Sequence, residues 1–420
     1  MTDIFSPLTL PNGQTLPNRL CKAAMEENMA EQGQLPGQDL VNLYRQWAEG
    51  GAGLILTGNV MVAPDAMTGP GGVYLGQETL SSAQIKARFE RWAAAGKSGG
   101  ALHYMQISHP GRQVYATQGT PPVSASATRV KMKGPAEKMF IEARALEEAE
   151  IEAIITRFAD TAEAAQSCGF DGVQIHAAHG YLAAQFLSPL TNLRKDKWGG
   201  SLENRARFLL EIIRAVKARI SPSFGVAIKL NSADFQKGGF DVDDAKQVVS
   251  WLNDEGLAFI EISGGNYESS AMMGTAADGR TLATKAREMY FLGFAKEIAG
   301  AAQMPLMATG GVTKRETAAI ALESGELDII GIARAMGFNP ALPRDWQQGR
   351  NLQVALPVIK SKNRTFVVLA TMAMTKMNLY RMGNSKPPRA NPSPLFSLIK
   401  QQAKQAKQTK LYKNWLAQRT

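Results

Sequence analysis

The chain has 420 residues, 45% of them hydrophobic and 20% charged, and a formal net charge of +10; a chain of this size and apolar content buries a large core as one big domain or two or three smaller ones. The opening MTDIFSPLTL lacks a basic segment followed by an apolar run, and the most apolar late stretch, Phe366 to Met374, is far shorter than the ~20 residues of a membrane span. Export and membrane embedding are therefore not expected, and Cys21 and Cys168, far apart and without CxxC spacing, read as reduced core thiols of a soluble cytoplasmic protein.

In chain order, the same unit recurs: a short run rich in Ile, Val and Leu, a turn, then an amphipathic segment of helical length. The runs are LCKAAM (20–25), GLILTG (53–58), ALHYMQI (101–107), GVQIHA (172–177), VAIKLN (226–231), FIEISG (259–264), PLMATGG (305–311) and DIIGIA (328–333). Between them lie segments such as ALEEAEIEAIITRFADTAEAAQSCG and SLENRARFLLEIIRAVKARI, with apolar residues three and four apart, Ser or Asp near several starts and Gly near several ends. Eight alternating units predict an α/β fold, a (β/α)8 TIM barrel over residues 1–345, whose chemistry sits at the C-terminal ends of the strands. A doubly wound open sheet is the alternative on pattern alone.

That rule makes each run's end a source of candidates. The first ends in Ala24, Met25 and Glu26, the second in Gly58 and Asn59, and the third in Gln106, His109 and Arg112. The fourth ends in IHAAHGY, which holds His176, His179 and Tyr181 and so two of the four histidines in the chain. The fifth supplies Lys229 and Asn231. At the seventh and eighth, ATGGVT exposes the backbone N–H groups of Gly310 and Gly311 before a helix, and GIAR adds Ala333 and the planar fork of Arg334. Barrels that hold phosphorylated ligands often use these two loops, although the glycine pair read by itself is equally a simple turn. The HxxH spacing has neither the HExxH pattern nor a nearby carboxylate or cysteine, so no metal is expected there.

RLCKAAME, QISHPGR, CGFDGVQIHAAHGYLAAQFLSPLTNLRKDKWGGSLENRARF and ATGGVT followed by GIAR together resemble the old yellow enzyme family of FMN-dependent NAD(P)H oxidoreductases, over roughly residues 3–345. No GxGxxG and no iron–sulfur cysteine cluster follows, so the likeness is to the single-domain members. The resemblance implies FMN as cofactor and NAD(P)H as hydride donor. It implies that His176 and His179 donate hydrogen bonds to the carbonyl or nitro oxygen of an acceptor over the flavin, where hydride transfer builds negative charge, and that Tyr181 is the general acid. It places Ala24, Met25, Asn59 and Gln106 against the flavin ring, Lys229 near the N1 and O2 edge, and Gly310, Gly311, Ala333 and Arg334 at the phosphate. Two positions depart from the family pattern: Lys229 stands where arginine is usual, and Glu26 where Thr or Cys is usual. Glu26 either faces the ring, ionised or neutral, or turns away, with Glu27 or neither facing the site.

The tail, 346–420, has fourteen Lys or Arg and no Asp or Glu, which leaves 33 basic against 37 acidic residues in the rest of the chain. KSKNRTFVVLATMAMTKMNLYRMG has a Met-rich apolar face, and after PPRANPSP a second helix is expected to begin at Ser393 with Pro394 in its first turn. This basic helical extension suits packing on the acidic body or a second subunit, or contact with an anionic membrane surface, and no nucleic-acid motif accompanies its charge. The expected function is an FMN oxidoreductase that takes hydride from NAD(P)H and reduces an activated, enone-like alkene or another electron-poor small molecule, assembled as a homo-oligomer. The alternative is a flavoprotein of this fold whose main role is binding or regulation through its basic tail.

Overall fold

The computed structural model describes residues 3–132, 134–268 and 292–419. Eight parallel strands run in chain order: β1 Leu20–Lys22, β2 Leu54–Leu56, β3 Leu102–Ser108, β4 Gly172–Ala177, β5 Gly225–Asn231, β6 Phe259–Ser263, β7 Leu306–Thr309 and β8 Ile329–Ile332. β8 pairs with β1 through Ile330 and Leu20, and β3 with β4 through Gln106 and Gln174, so the sheet closes on itself. Closure makes this a (β/α)8 barrel and removes the open sheet from consideration. Every residue of β2, β4, β5, β6 and β8 is buried. That is why the runs are nearly continuous in apolar residues: a parallel sheet is covered on both faces.

The covering helices form where an apolar stripe and a cap coincide. Leu202–Lys217 starts at Ser201, whose hydroxyl accepts from the N–H of Asn204, and Val242–Leu252 at Asp241, whose carboxylate accepts from the N–H groups of Asp243 and Asp244. The first run narrows from the expected 20–25 to Leu20–Lys22. Beyond Lys22 only the N–H of Ala23 still bonds β8, at the carbonyl of Ile332 (3.0 Å), and the backbone then turns out to form the site wall.

Past residue 345 the two expected helices appear, Arg364–Gly383 and Pro394–Leu416, the second capped by Ser393 with Pro394 in its first turn. Both pack on the body. Asn42 and Gln46 of the Gln38–Glu49 helix donate to the carbonyls of Gly383 (2.9 Å) and Met382 (2.7 Å). Pro394–Leu416 crosses the loops that leave β1 and β2: Gln408 donates to the Asn28 carbonyl (2.6 Å) and Tyr412 to the Pro64 carbonyl (3.0 Å). Tyr412 is fully buried among Met61, Met67 and Tyr74. The extension therefore lies beside the end of the barrel where the strands terminate. Among the described residues no helix is long and apolar enough to cross a membrane.

Candidate active site

At the end of β4 the chain makes a turn that few residues tolerate. His179 has φ +59° and Gly180 φ +74°. A Cβ at Gly180 would come within 2.8 Å of Asn266 and 2.9 Å of Gln113, so that position needs glycine. The left-handed histidine is held from both sides: its N–H donates to Asn231 Oδ1 (3.1 Å), and its carbonyl accepts from Gln113 Nε2 (3.0 Å). Such a conformation is unfavourable by itself and persists because its surroundings impose it.

The turn gathers three rings. The His176 centroid lies 5.0 Å from that of His179 and 4.7 Å from that of Tyr181. His176 Nδ1 accepts from the N–H of Ala178 (3.2 Å), so in the neutral ring the proton is on Nε2. His179 Nε2 shares a hydrogen with the Ser263 hydroxyl at 2.7 Å. Burial, with the neighbouring His179 and Lys229 adding to it, holds His176 well below the usual histidine range; burial and Lys229 do the same to His179. Both imidazoles are neutral N–H donors near neutral pH. Tyr181 is pushed far up by burial, with the Glu26 carboxylate adding, and stays a protonated phenol. Its hydroxyl lies 3.1 Å from that of Tyr267 and 3.5 Å from Asn59 Nδ2.

Beneath these rings, alternation along the strands sends every second side chain into the barrel, and five polar groups meet there. Gln106 Nε2 donates to Gln174 Oε1 (2.7 Å) and Gln174 Nε2 to Glu261 Oε2 (2.8 Å). Glu261 Oε1 accepts from Lys229 Nζ (2.6 Å) and Thr309 Oγ1 (2.7 Å). Glu261 is fully buried, so this pairing decides whether the floor is tolerable: an unpaired charge there would be severely penalised. Lys229 is thus a cation already paired with a carboxylate. The strand-end pattern in the sequence does not single out β6, yet Glu261 and Ser263, two apart on one face, and Tyr267 beyond them all reach the site. The signal was available in FIEIS, where polar residues alternate with apolar ones in a strand otherwise expected to be buried on both faces.

The two glutamates after Met25 separate. Glu26 is half-buried, accepts from the Thr68 hydroxyl, and bears electrostatically on Tyr115, Tyr181 and Tyr267, which places it on the site side. Glu27 turns into the wall, where it accepts from the Tyr44 hydroxyl and from the N–H of Gly58 (3.2 Å), with Lys22 Nζ 3.9 Å away. A Cβ on Gly58 would stand 2.2 Å from Glu27 Oε2. Burial raises Glu27, which Lys22 and the Tyr44 hydroxyl oppose, and lowers Lys22 to about 8. His109 and Arg112 serve the loops: Arg112 pairs with Glu268 at 2.7 Å, and His109 Nδ1 accepts from the N–H of Gly111.

With this geometry in hand, a family model described as the NADH:flavin oxidoreductase / NADH oxidase family matches residues 3–353. The chain belongs to this family. It is 38% identical over 351 residues to an NADH-dependent flavin oxidoreductase, iliE, of Hypocrea jecorina (strain QM6a), covering 80% of this chain and 87% of that one. It is 36% identical over 384 residues to the NADH-dependent flavin oxidoreductase nadA of Aspergillus parasiticus, covering 89% and 84%. The solved old yellow enzyme homologue of Zymomonas mobilis superposes with a TM-score of 0.70 at 27% identity, covering 84% of this chain and 95% of that one. The old yellow enzyme resemblance is borne out, and the protein is an FMN- and NAD(P)H-dependent oxidoreductase.

The residues present fit the flavin of this family. Asn59 Oδ1 is buried and, among the described residues, has no hydrogen-bond partner, so it is left to accept from a ligand. Ala24 and Met25 are half-buried where the backbone leaves β1, and Gln106 is 2% exposed on the barrel floor. β7 and β8 pair through Thr309 and Gly331, which brings Gly310–Gly311 beside Ala333 and Arg334. Gly311, at φ +70°, takes a backbone conformation that suits glycine, and the Arg334 side chain is exposed at the start of its short helix. These four would hold the phosphate and the first four the ring, with Lys229 and Glu26 at its edges. The long motif between Ser188 and Phe208 has a different task. Asn192 donates to the carbonyls of Phe186 (2.8 Å) and Trp198 (2.7 Å), and Arg205 donates to that of Leu187. It buttresses the buried Leu182–Leu187 helix that follows Tyr181.

Proposed function

We propose that this oxidoreductase reduces the carbon–carbon double bond of a small, electron-poor alkene conjugated to a carbonyl or nitro group. One observation carries the reading: two neutral imidazoles and a protonated phenol converge within ring-centroid distances of 5.0 Å and 4.7 Å on a single backbone turn. The flavin of this family supplies hydride taken from NAD(P)H. The chain's own groups answer the charge and the proton. His176 Nε2–H donates to the acceptor oxygen; His179 joins it by exchanging its bond to Ser263 for one to the ligand. Fixed donors in a site closed to water stabilise the charge that grows there. Tyr181 delivers the proton to the α-carbon, and Tyr267, within hydrogen-bond distance of it, can return one. The Lys229–Glu261 pair keeps the floor close to neutral, so the site favours neutral, polarisable acceptors.

The test is stopped-flow reoxidation of the reduced enzyme by an enone and by a quinone. Tyr181→Phe should leave flavin content and reduction by nicotinamide intact and slow the enone reaction by ~10² to 10⁴, the usual contribution of a positioned acid. Quinone reduction, which puts no proton on carbon, should change little. Equal losses with both acceptors would reduce Tyr181 to a shaping role, and an unchanged enone rate would remove it from proton transfer.

A further inference from the structure

The C-terminal helix pair frames an open cavity of about 440 Å3 away from the barrel floor, and five cations stand among apolar residues in its lining. Arg381, Lys386, Arg389, Lys400 and Lys404 all line it, and no Asp or Glu does. The wall is pre-set. Asn378, fully buried, holds both the carbonyl and the N–H of Arg389 at 2.9 Å, and Arg381 Nε donates to the Pro387 carbonyl at 2.8 Å. Lys404 Nζ is held 3.5 Å from the centroid of the Tyr380 ring. Burial, opposed by Asp39 and reinforced by Lys376, Lys400 and Lys407, lowers Lys404 to about 8.

A second, independent feature is the hydroxyl of Ser397. The residue is 1% exposed and lines the same cavity, and its Oγ is buried with no hydrogen-bond partner among the described residues. An orphaned buried donor is costly unless something completes it. Ser393, also in the lining, caps the Pro394–Leu416 helix, so that helix's positive end opens on the cavity too.

We infer that this cavity is a binding site for a phosphate group, free or esterified, separate from the flavin site. Cations approaching from two helices and the linker between them suit a tetrahedral oxyanion of two or more charges; a planar monovalent carboxylate would engage only one side. Arginine forks add bidentate contacts, and the Ser397 hydroxyl gains its missing acceptor. The reading does not rest on the alkene chemistry above. Phosphate can arrive on a soluble compound or on an anionic lipid headgroup; Phe396 in the cavity lining and its helix neighbours Leu395 and Ile399 are 56%, 60% and 60% exposed, so both sources are tested.

Flavin-saturated full-length protein is titrated calorimetrically with inorganic pyrophosphate at low salt, and sedimented with vesicles of phosphatidylglycerol or phosphatidylcholine. One pyrophosphate should bind per chain beyond the flavin. Arg389→Glu with Lys400→Glu, both exposed positions, should weaken it by at least tenfold, as expected for lost charged hydrogen bonds. Ser397→Ala should weaken it severalfold with all charges kept. Lys410→Glu with Lys413→Glu makes the same charge change on the same helix outside the lining and should leave affinity within about twofold. Binding only to phosphatidylglycerol vesicles, lost in the cavity variant, would assign the phosphate to a lipid headgroup. Absence of binding to either probe, or equal loss in the cavity and control variants, would overturn the site in favour of diffuse charge.

Discussion

The barrel floor and the C-terminal helix pair both hold charged side chains out of water, and they treat them in opposite ways. On the floor, Lys229, Glu261, Thr309, Gln174 and Gln106 complete one another at 2.6–2.8 Å, each fixed by strand register. In the helix pair, Lys376 and Lys404 are half-buried in a 75-residue stretch without a carboxylate; they lean on the Asn28 side chain and the Tyr380 ring. The floor is internally complete and supports a fixed site. The helix pair carries charge that something outside it must answer.

The strongest way to break this contrast is at Glu261. Glu261→Ala strands Lys229 in a buried position, and removal of one partner of a buried pair costs about 3–5 kcal/mol. Denaturant titration should show that loss, and Lys229→Met with Glu261→Met should recover much of it. A loss below ~1 kcal/mol for the single change would mean the floor is wetter and looser than its hydrogen bonds indicate.

Acid should sharpen the contrast. His103 is lowered to about 3 and His109 to about 4, both chiefly by burial, and His176 and His179 lie well below their usual value. For a histidine lowered on folding, the unfolded chain binds protons that the folded one refuses, so stability falls as pH drops below about 6.5. Each of the four contributes a slope of up to ~1.4 kcal/mol per pH unit until its folded value is reached. The tail contains no histidine and no carboxylate, so the acid-induced loss should begin in the barrel. Hydrogen exchange at pH 5 that opens the two C-terminal helices first would contradict this.

The smallest effect tests how the helix pair is attached. Gln408→Ala removes the donor to the Asn28 carbonyl and should cost roughly 1 kcal/mol, the net worth of one such bond. Exchange should accelerate in the loops around Asn28 and Pro64, with the barrel strands unaffected.

Much of this was legible because strands and caps are local. GVQIHA was expected at 172–177 and is β4, Gly172–Ala177; Ser393 and Pro394 open their helix as expected. HAAHGY, GGVT and GIAR could be placed at strand ends because chain order alone puts them there. What stayed hidden depends on partners distant in sequence. Nothing next to Lys229 announces Glu261, because the pair is made by β5–β6 register and not by sequence spacing. Glu26 and Glu27 are adjacent, yet one faces the site and the other the wall. That choice is made by Thr68 on one side and by Tyr44 with the tight approach of Gly58 on the other.

The bond from Gln408 to Asn28 has a consequence in time. It joins groups 380 positions apart, so the loop leaving β1, made early in synthesis, cannot take its final shape until the last helix has emerged and docked. Closing so long a loop costs only logarithmically more entropy than closing a short one, so the tie is affordable at equilibrium but is made late. A barrel nascent on the ribosome would already have its eight strands, with the Asn28 and Pro64 loops still unclamped. The Asn28 and Pro64 loops would thereby settle only after the strands they follow.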